Sequence, residues 1–336
     1  MDSVTQLTLG AAVAVAALGQ KPGSKVKVAL AGAVLGTLPD LDVLIDYGDV
    51  VSNMVLHRTE SHALFYQTLI SPVLAWLAAL CCNQRSYYRH WLLATWLILI
   101  THTGIDAMTV YGTQFGLPFT NTPFAVGSMF IIDPLYTLPL LAGVLWYLFS
   151  RRGKGYRANS AGIVLSSAYL VWSFAAQQYV TGIAIHNAQQ QLRDQQQILV
   201  TPAPLNTILW RIVVMTEQGY AEGFYSLFDS SDQIEFTLIA QDTSLKQRYA
   251  DVKAVQQLSW FSRGFYTLAQ QGDILLLTDL RMGQEGSYAF QFEVDPSNHR
   301  AVIQQPMRRD AATALPWLWQ RMWGVQLPSP YLAASR

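Results

Sequence analysis

Long apolar runs separated by short polar loops fill the chain up to residue 182, and short segments of alternating apolar and polar positions fill most of the remainder. The apolar runs fall at 5–19, 26–45, 63–82, 91–108, 131–149 and 160–180. Several approach the ~20 residues that a helix needs to cross a bilayer core. About six membrane helices are expected. The first two runs are shorter or richer in Gly and Ala, which suits helices that are tilted, partly re-entrant or packed inside the bundle. Pro72 and Pro139 interrupt two of the helices, as membrane bundles tolerate.

Beyond Val180, Ile185-His186-Asn187 and the glutamine-rich stretch Gln189 to Gln197 read as a polar continuation of helix six, and Pro202 and Pro204 mark a boundary. Segments 207–216, 219–228, 234–240, 258–268, 273–280 and 287–295 are rich in Ile, Val, Phe and Tyr and are bounded by turn signals such as Gln271-Gly272-Asp273. They read as strands, with short helices near 243–256 and 311–323. The expected fold class is mainly α: a polytopic membrane helix bundle (1–182), a polar helical stalk or linker (183–204), and a small β-rich α+β extramembrane domain (205–336).

Charge adds an orientation. Lys21, Lys25 and Lys27 follow the first run, Arg85 and Arg89 the third, and Arg151, Arg152, Lys154 and Arg157 the fifth. Segment 46–62 offers only Arg58, and segment 109–130 has no Lys or Arg. The positive-inside rule assigns the first set to the cytoplasm, which puts both termini and the β-rich domain on the periplasmic side of a plasma (inner) membrane. Met1-Asp2 lacks the positive region of a cleaved signal peptide, so the first run is expected to stay as an anchor. Charged residues make up only 13% of the chain, about half the share in a soluble domain. The net charge of zero excludes the basic footprint of a nucleic-acid binder. Cys81 and Cys82 are adjacent, poorly placed to bridge each other, and suit a helix end.

Candidate chemistry lies where apolar runs begin or end. Pro39-Asp40-Leu41-Asp42, His57-Arg58-Thr59-Glu60-Ser61-His62 and His102-Thr103-Gly104-Ile105-Asp106 all fall on the non-cytoplasmic side in this topology, as does Asp2. Acids and histidines at a membrane boundary are costly unless paired, solvated or bound to metal. His102 and Asp106, four apart, share one helix face. Asp40 and Asp42 in extended chain point the same way. Imidazole and carboxylate suit zinc, manganese or iron. Each piece also has a plainer reading: a capped helix end, a turn with solvated acids, an ordinary loop. Their joint placement on one face favours a divalent metal, zinc or manganese, as one ion or two. His90 falls on the cytoplasmic side, and His186 and His299 read as stalk and loop residues.

The order Asp2-x-x-Thr5, Gly36-x-x-Pro39-Asp40-x-Asp42, His57-Arg58-x-x-Ser61-His62 and His102-x-x-x-Asp106 resembles the YdjM-type family of LexA-regulated, inner-membrane, predicted metal-dependent hydrolases. Gly112, Pro118-Phe119 and Asp133-Pro134 resemble that family's later landmarks. The resemblance covers about the first 150 residues, and the β-rich tail resembles an extension seen in one branch. Gln6 stands where the family usually has a histidine, and where its pattern is His-Arg-Gly-x-Thr-His this chain has Thr59, Glu60 and Ser61, so Thr59 and Ser61 depart from it.

Three functions are therefore carried forward. The first is a membrane metal-dependent hydrolase, with Asp2, Asp40, Asp42, His57, His62, His102 and Asp106 as candidate ligands. Asp40, Asp42 and Arg58 are its candidate catalytic residues. Arg58, the one cation of the site-facing segments, suits an anionic group such as a phosphate, and a site at that depth suits a phospholipid or other amphiphilic phosphoester reached from the lipid bilayer. The second is a non-enzymatic protein with a structural metal and a β-rich domain that binds an envelope partner. The third is a metal or proton transporter, against which stands the lack of a matching ionisable set on the cytoplasmic half.

Overall fold

A computed structural model describes residues 1–192, 194–297, 300–307 and 310–331. The chain is α+β and divides into two compact units, one of Met1–Ile45 and His57–Phe174, the other of Asp46–Leu56 and Ala175–Arg336.

Seven helices come first in the sequence: α1 (Ser3–Leu18), α2 (Lys25–Thr37), α3 (Val50–Leu56), α4 (Leu64–Cys81), α5 (Tyr88–Ala107), α6 (Pro134–Phe149) and α7 (Arg152–Gln191). In the first unit α1 is central and packs against α2, α5 and α6. Its Ala12, Ala14, Val15 and Leu18 are fully buried among Trp91, Ile98, Leu140 and Tyr147. The small residues of the first two apolar runs thus serve close packing inside the bundle. A Cβ on Gly10 would lie 2.3 Å from the Gly32 carbonyl oxygen, so only glycine permits the α1–α2 crossing.

Among the described residues, α4 is the one helix long and apolar enough to cross a membrane. The apolar helices α1 and α6 have 16 residues each, about 24 Å at 1.5 Å per residue against a ~30 Å hydrocarbon core. α5 has 20 residues but carries Arg89, His90, His102 and Asp106. The second apolar run ends as a helix at Thr37, because Pro39 starts a 3-10 turn over Pro39–Leu44. Outward faces are nonetheless apolar, with Leu69, Val73 and Trp76 on α4, Leu138 and Trp146 on α6, and Leu165 and Trp172 on α7 all exposed.

The second unit holds two four-stranded antiparallel sheets. One runs β1 (Gln197–Pro202), β2 (Leu209–Thr216), β3 (Gly219–Ser226), β4 (Thr237–Ala240) in that order. The helices α8 (Ser244–Arg248) and α9 (Lys253–Phe261) follow, and then β5 (Tyr266–Gln271) and β6 (Ile274–Asp279). A two-stranded ribbon of β7 (Gly283–Gln284) and β8 (Ser287–Tyr288) leads to β9 (Gln291–Asp295), β10 (Arg300–Gln304) and α10 (Ala311–Met322). The second sheet is ordered β10-β9-β6-β5.

Two expectations change here. Residues 258–268 are not one strand: α9 buries Ala254, Val255, Leu258 and Phe261 on one helical face, and β5 begins only after Gly264 at φ +87°. The polar stretch after α7 does not stay helical, since Gln197–Pro202 pairs along β2. The ion pair Arg211–Glu222, 2.6 Å between Nε and Oε1, is buried between β2 and β3. Arg211 also donates to the Leu280 carbonyl.

Candidate metal centre

Four side chains of the first unit converge: Asp40, His62, His102 and Asp106, one ligand atom from each lying within 4.8 Å of the others. Each arrives for a local reason. Asp40 is held by the 3-10 turn that Pro39 begins, and His62 by the 3-10 turn Glu60–His62. His102 and Asp106 lie one turn apart on α5, their Nε2 and Oδ2 atoms 3.3 Å apart. Four more of the six edges are His62 Nε2 to His102 Nε2 at 3.1 Å, His62 Nε2 to Asp106 Oδ2 at 3.2 Å, and Asp40 Oδ1 to His62 Nε2 and His102 Nε2 at 3.4 and 3.5 Å, and the sixth, between the two carboxylates, is within 4.8 Å. Four ligands at 2.0–2.1 Å around a tetrahedral ion are separated by about 3.3–3.4 Å. The first five edges bracket that value.

Hydrogen bonding fixes which nitrogens face inward. His102 Nδ1 donates to the Gly36 carbonyl at 2.7 Å, which leaves Nε2 as the lone-pair atom. His62 Nδ1 donates to Ser61 Oγ at 2.8 Å, and Ser61 Oγ in turn donates to Asp42 Oδ2 at 2.6 Å. Both imidazoles therefore present Nε2 to the centre, held as metal-bound histidines usually are. Two inward Nε2 atoms 3.1 Å apart repel unless a positive charge sits between them or on one ring. Asp40 Oδ1 and Asp106 Oδ2 are buried and make no hydrogen bond among the described residues. The donor set thus fits a divalent cation.

Without a cation, the charge balance falls on protons. Burial pushes the pKa of His62 down, but the carboxylates of Asp106, Asp40 and Asp42 outweigh it and raise it to about 9. Burial works to raise Asp40 and Asp42, yet contacts with His102 and His62 for the first, and with His57, His62 and Ser61 for the second, hold both below the usual carboxylate range. Close polar partners outweigh desolvation here.

The other expected site residues sit around this group. Asp42 does not point alongside Asp40, because the turn is 3-10 rather than extended. Its Oδ2 also accepts from the Arg58 backbone N–H at 2.9 Å, and its Oδ1 lies 2.7 Å from His57 Nδ1. His57, with 18% of its side chain exposed, stands beside Asp42 rather than among the four. Arg58 adopts φ +66°, unusual for a side-chain-bearing residue. Its guanidinium lies 4.8 Å from the Tyr111 ring centroid, and Nη2 lies 3.3 Å from Asp106 Oδ1. Arg58 is 5% exposed, and its Nε and Nη1 find no partner among the described residues. The Met1 amino group also contacts Asp106 Oδ1.

Asp2 does not join the group. Its Oδ1 accepts from the backbone N–H groups of Val4 and Thr5 and its Oδ2 from Thr5 Oγ1, so it caps α1. His186 lies on α7, its Nε2 3.0 Å from Gln190 Nε2, and His299 falls outside the described residues. Two glutamines support the centre, of which motif reading had singled out only Gln6, as a departure from the family pattern. Gln6 Nε2 donates to Asp106 Oδ1 at 3.1 Å. Gln67 Nε2 donates to Thr103 Oγ1 at 2.7 Å and to the Ser61 carbonyl at 3.0 Å. A glutamine inside the apolar α4 was the available signal, since such a residue needs a partner there.

The chain is 24% identical over 233 residues to a protein of Bacillus subtilis (strain 168) named "Uncharacterized protein YfhP", a match covering 66% of this chain and 68% of that one. No solved structure matches the chain. Residues 1–180, which include every residue of the centre, match the family described as "YdjM inner membrane protein", and the chain belongs to that family.

Proposed function

We propose that the protein is a multi-pass, metal-dependent hydrolase of the inner membrane, acting on an anionic ester of the phosphoester class at the periplasmic membrane–water boundary. The observation that carries this reading is Arg58, a buried guanidinium beside the four-residue centre with two N–H-bearing nitrogens unpaired among the described residues. Leaving buried charged donors unmade is expensive, and anionic oxygens are the acceptors that would satisfy them best. A cation used only as a structural brace would not call for them.

In this reading Asp40, His62, His102 and Asp106 would hold a zinc or manganese ion, which would supply Lewis acidity and a lowered pKa for water. The rest is done by the protein. Arg58 binds and orients the anionic group. Asp42 and Ser61 keep the His62 ring in its inward tautomer. His57, with Nδ1 against Asp42 and part of its ring exposed, takes up or delivers a proton at its other nitrogen. Asp40, whose side chain is 24% exposed, marks the open side from which substrate reaches the centre.

A second reading has its own support. Four protein ligands, five of whose six edges are near the tetrahedral value, are also what a closed structural site shows, and the β-rich unit would then bind an envelope partner. Turnover separates the two. Purified protein in detergent with added zinc or manganese would be screened on phosphoesters, with Asp40→Asn and Arg58→Ala alongside. The enzymatic reading expects activity that both variants lose while the fold persists. Bound metal without turnover on any phosphoester favours the structural reading. Reporter fusions at the C-terminus test the topology, and a cytoplasmic signal would overturn the periplasmic assignment.

A further inference from the structure

Two stretches of exposed apolar side chain are tied to the centre. One is built into and just after the turn that carries Asp40: Leu41, Val43, Leu44 and Ile45 are all more than half exposed, Leu44 at 79%. The other is Phe65 with Phe119. Phe119 is 81% exposed, and its ring packs edge-on to Phe65 with centroids 5.6 Å apart. Phe65 lies three residues after His62. The segment bearing Phe119 is fastened to the site by the Gln114 N–H donating to the Arg58 carbonyl and by the Leu64 N–H donating to the Phe115 carbonyl.

None of these six is needed for the core of the first unit, and large apolar groups displayed together carry a cost in water. The first stretch shares its turn with Asp40, a partly exposed carboxylate, and the second is hydrogen-bonded to the backbone of Arg58, a buried guanidinium with unpaired donors. An apolar lip beside an anion-binding floor is complementary to one kind of molecule, an amphiphile with an anionic head and an alkyl chain. Since the chain belongs to an inner-membrane family, the bilayer is where such a molecule is concentrated.

We infer that Leu41, Val43, Leu44, Ile45, Phe65 and Phe119 form a chain-binding subsite that selects a membrane amphiphile over a water-soluble phosphoester. The inference rests on the proposed anion binding at Arg58 but not on turnover. Each methylene withdrawn from water favours binding, so a few seated methylenes suffice for a large preference.

Binding of two probes distinguishes the possibilities: methyl phosphate and octyl phosphate, titrated against metal-loaded protein in nanodiscs at equal free concentration, with empty nanodiscs as the partition reference. Octyl phosphate should bind at least roughly tenfold more tightly than methyl phosphate. The double variant Val43→Ser/Leu44→Ser and the single variant Phe119→Ser should each remove most of that ratio, with methyl phosphate affinity and metal content unchanged. Arg58→Ala should weaken both probes together. Equal affinity for the two probes in the unmodified protein, or a ratio that survives both lip variants, overturns the subsite. Chain-selective binding without hydrolysis of any ester sinks only the hydrolase reading, whereas hydrolysis indifferent to chain length sinks this one.

Discussion

Gly36 is the position where helix packing and site geometry meet, and Gly36→Ala tests both. A Cβ there would lie 2.6 Å from the Gln6 carbonyl oxygen and 3.0 Å from Gly10 Cα, both backbone atoms that no rotamer change can move. Ordinary contact begins near 3.4 Å, so α1 and α2 must part by roughly 0.8 Å, a strain of about 1–3 kcal/mol for overpacking. The displacement reaches the centre from two sides. The Gly36 carbonyl accepts from His102 Nδ1 at 2.7 Å, while Gln6 on α1 donates to Asp106 at 3.1 Å. Adding roughly 0.8 Å to the first would take it to about 3.5 Å, the limit of a hydrogen bond. Loss of such an outer contact costs about 10–100-fold in metal affinity. The assay is competition for zinc against a chromophoric chelator in detergent, with thermal unfolding recorded in parallel. Gly104→Ala is the control: it lies on α5 two residues from His102, and a Cβ there meets nothing within 4 Å. It should leave metal affinity unchanged. Affinity within about twofold of the parent in Gly36→Ala, with Gly104→Ala equal to it, would refute the reasoning.

Other expectations rest on single contacts. Ser61→Ala removes the link between Asp42 and His62 and should weaken metal binding about tenfold, whereas Ser61→Thr, which keeps the hydroxyl, should restore it; equal loss in both would show that the hydroxyl is irrelevant. Asp2→Ala should lower stability by about 0.5–2 kcal/mol, as lost N-caps do, with metal content intact in an elemental assay; a fall in metal would return Asp2 to the ligand set. Metal affinity should rise with pH. His62, raised to about 9, must lose its proton to ligate. Affinity therefore climbs about tenfold per pH unit from neutrality and levels above about 9, while the lowered Asp40 and Asp42 stay ionised throughout. A flat profile from about pH 7 to 9 would remove His62 from the centre.

How much of this was legible in the chain depends on whether local chemistry or distant packing decides each feature. The burial of α1 was foreshadowed by its Gly and Ala content, because small residues permit close crossings. The convergence of Asp40, His62, His102 and Asp106 was legible because each is a metal-ligand residue type at the end of an apolar run. Asp2 illustrates the opposite: a carboxylate that caps a helix and one that binds an ion look alike in sequence, and only the Val4 and Thr5 N–H groups distinguish them. The placement of Asp42 depended on a 3-10 turn that residue alternation does not reveal. In the second unit, β1 was hidden by the glutamines before it, since its pairing with β2 is a tertiary contact. The stripe Ala254, Val255, Leu258 and Phe261 has helical spacing that the neighbouring aromatic residues obscured.

The central claim is that Asp40, His62, His102 and Asp106 hold a divalent metal ion. Elemental analysis by mass spectrometry of the purified, detergent-solubilised protein tests it most directly, comparing the parent with His62→Ala, His102→Ala and His90→Ala. The account predicts near-stoichiometric zinc or manganese in the parent and in His90→Ala, with sharp loss in the two site variants. Equal metal content in all four proteins, or none in the parent after growth and purification with added zinc and manganese, would contradict it.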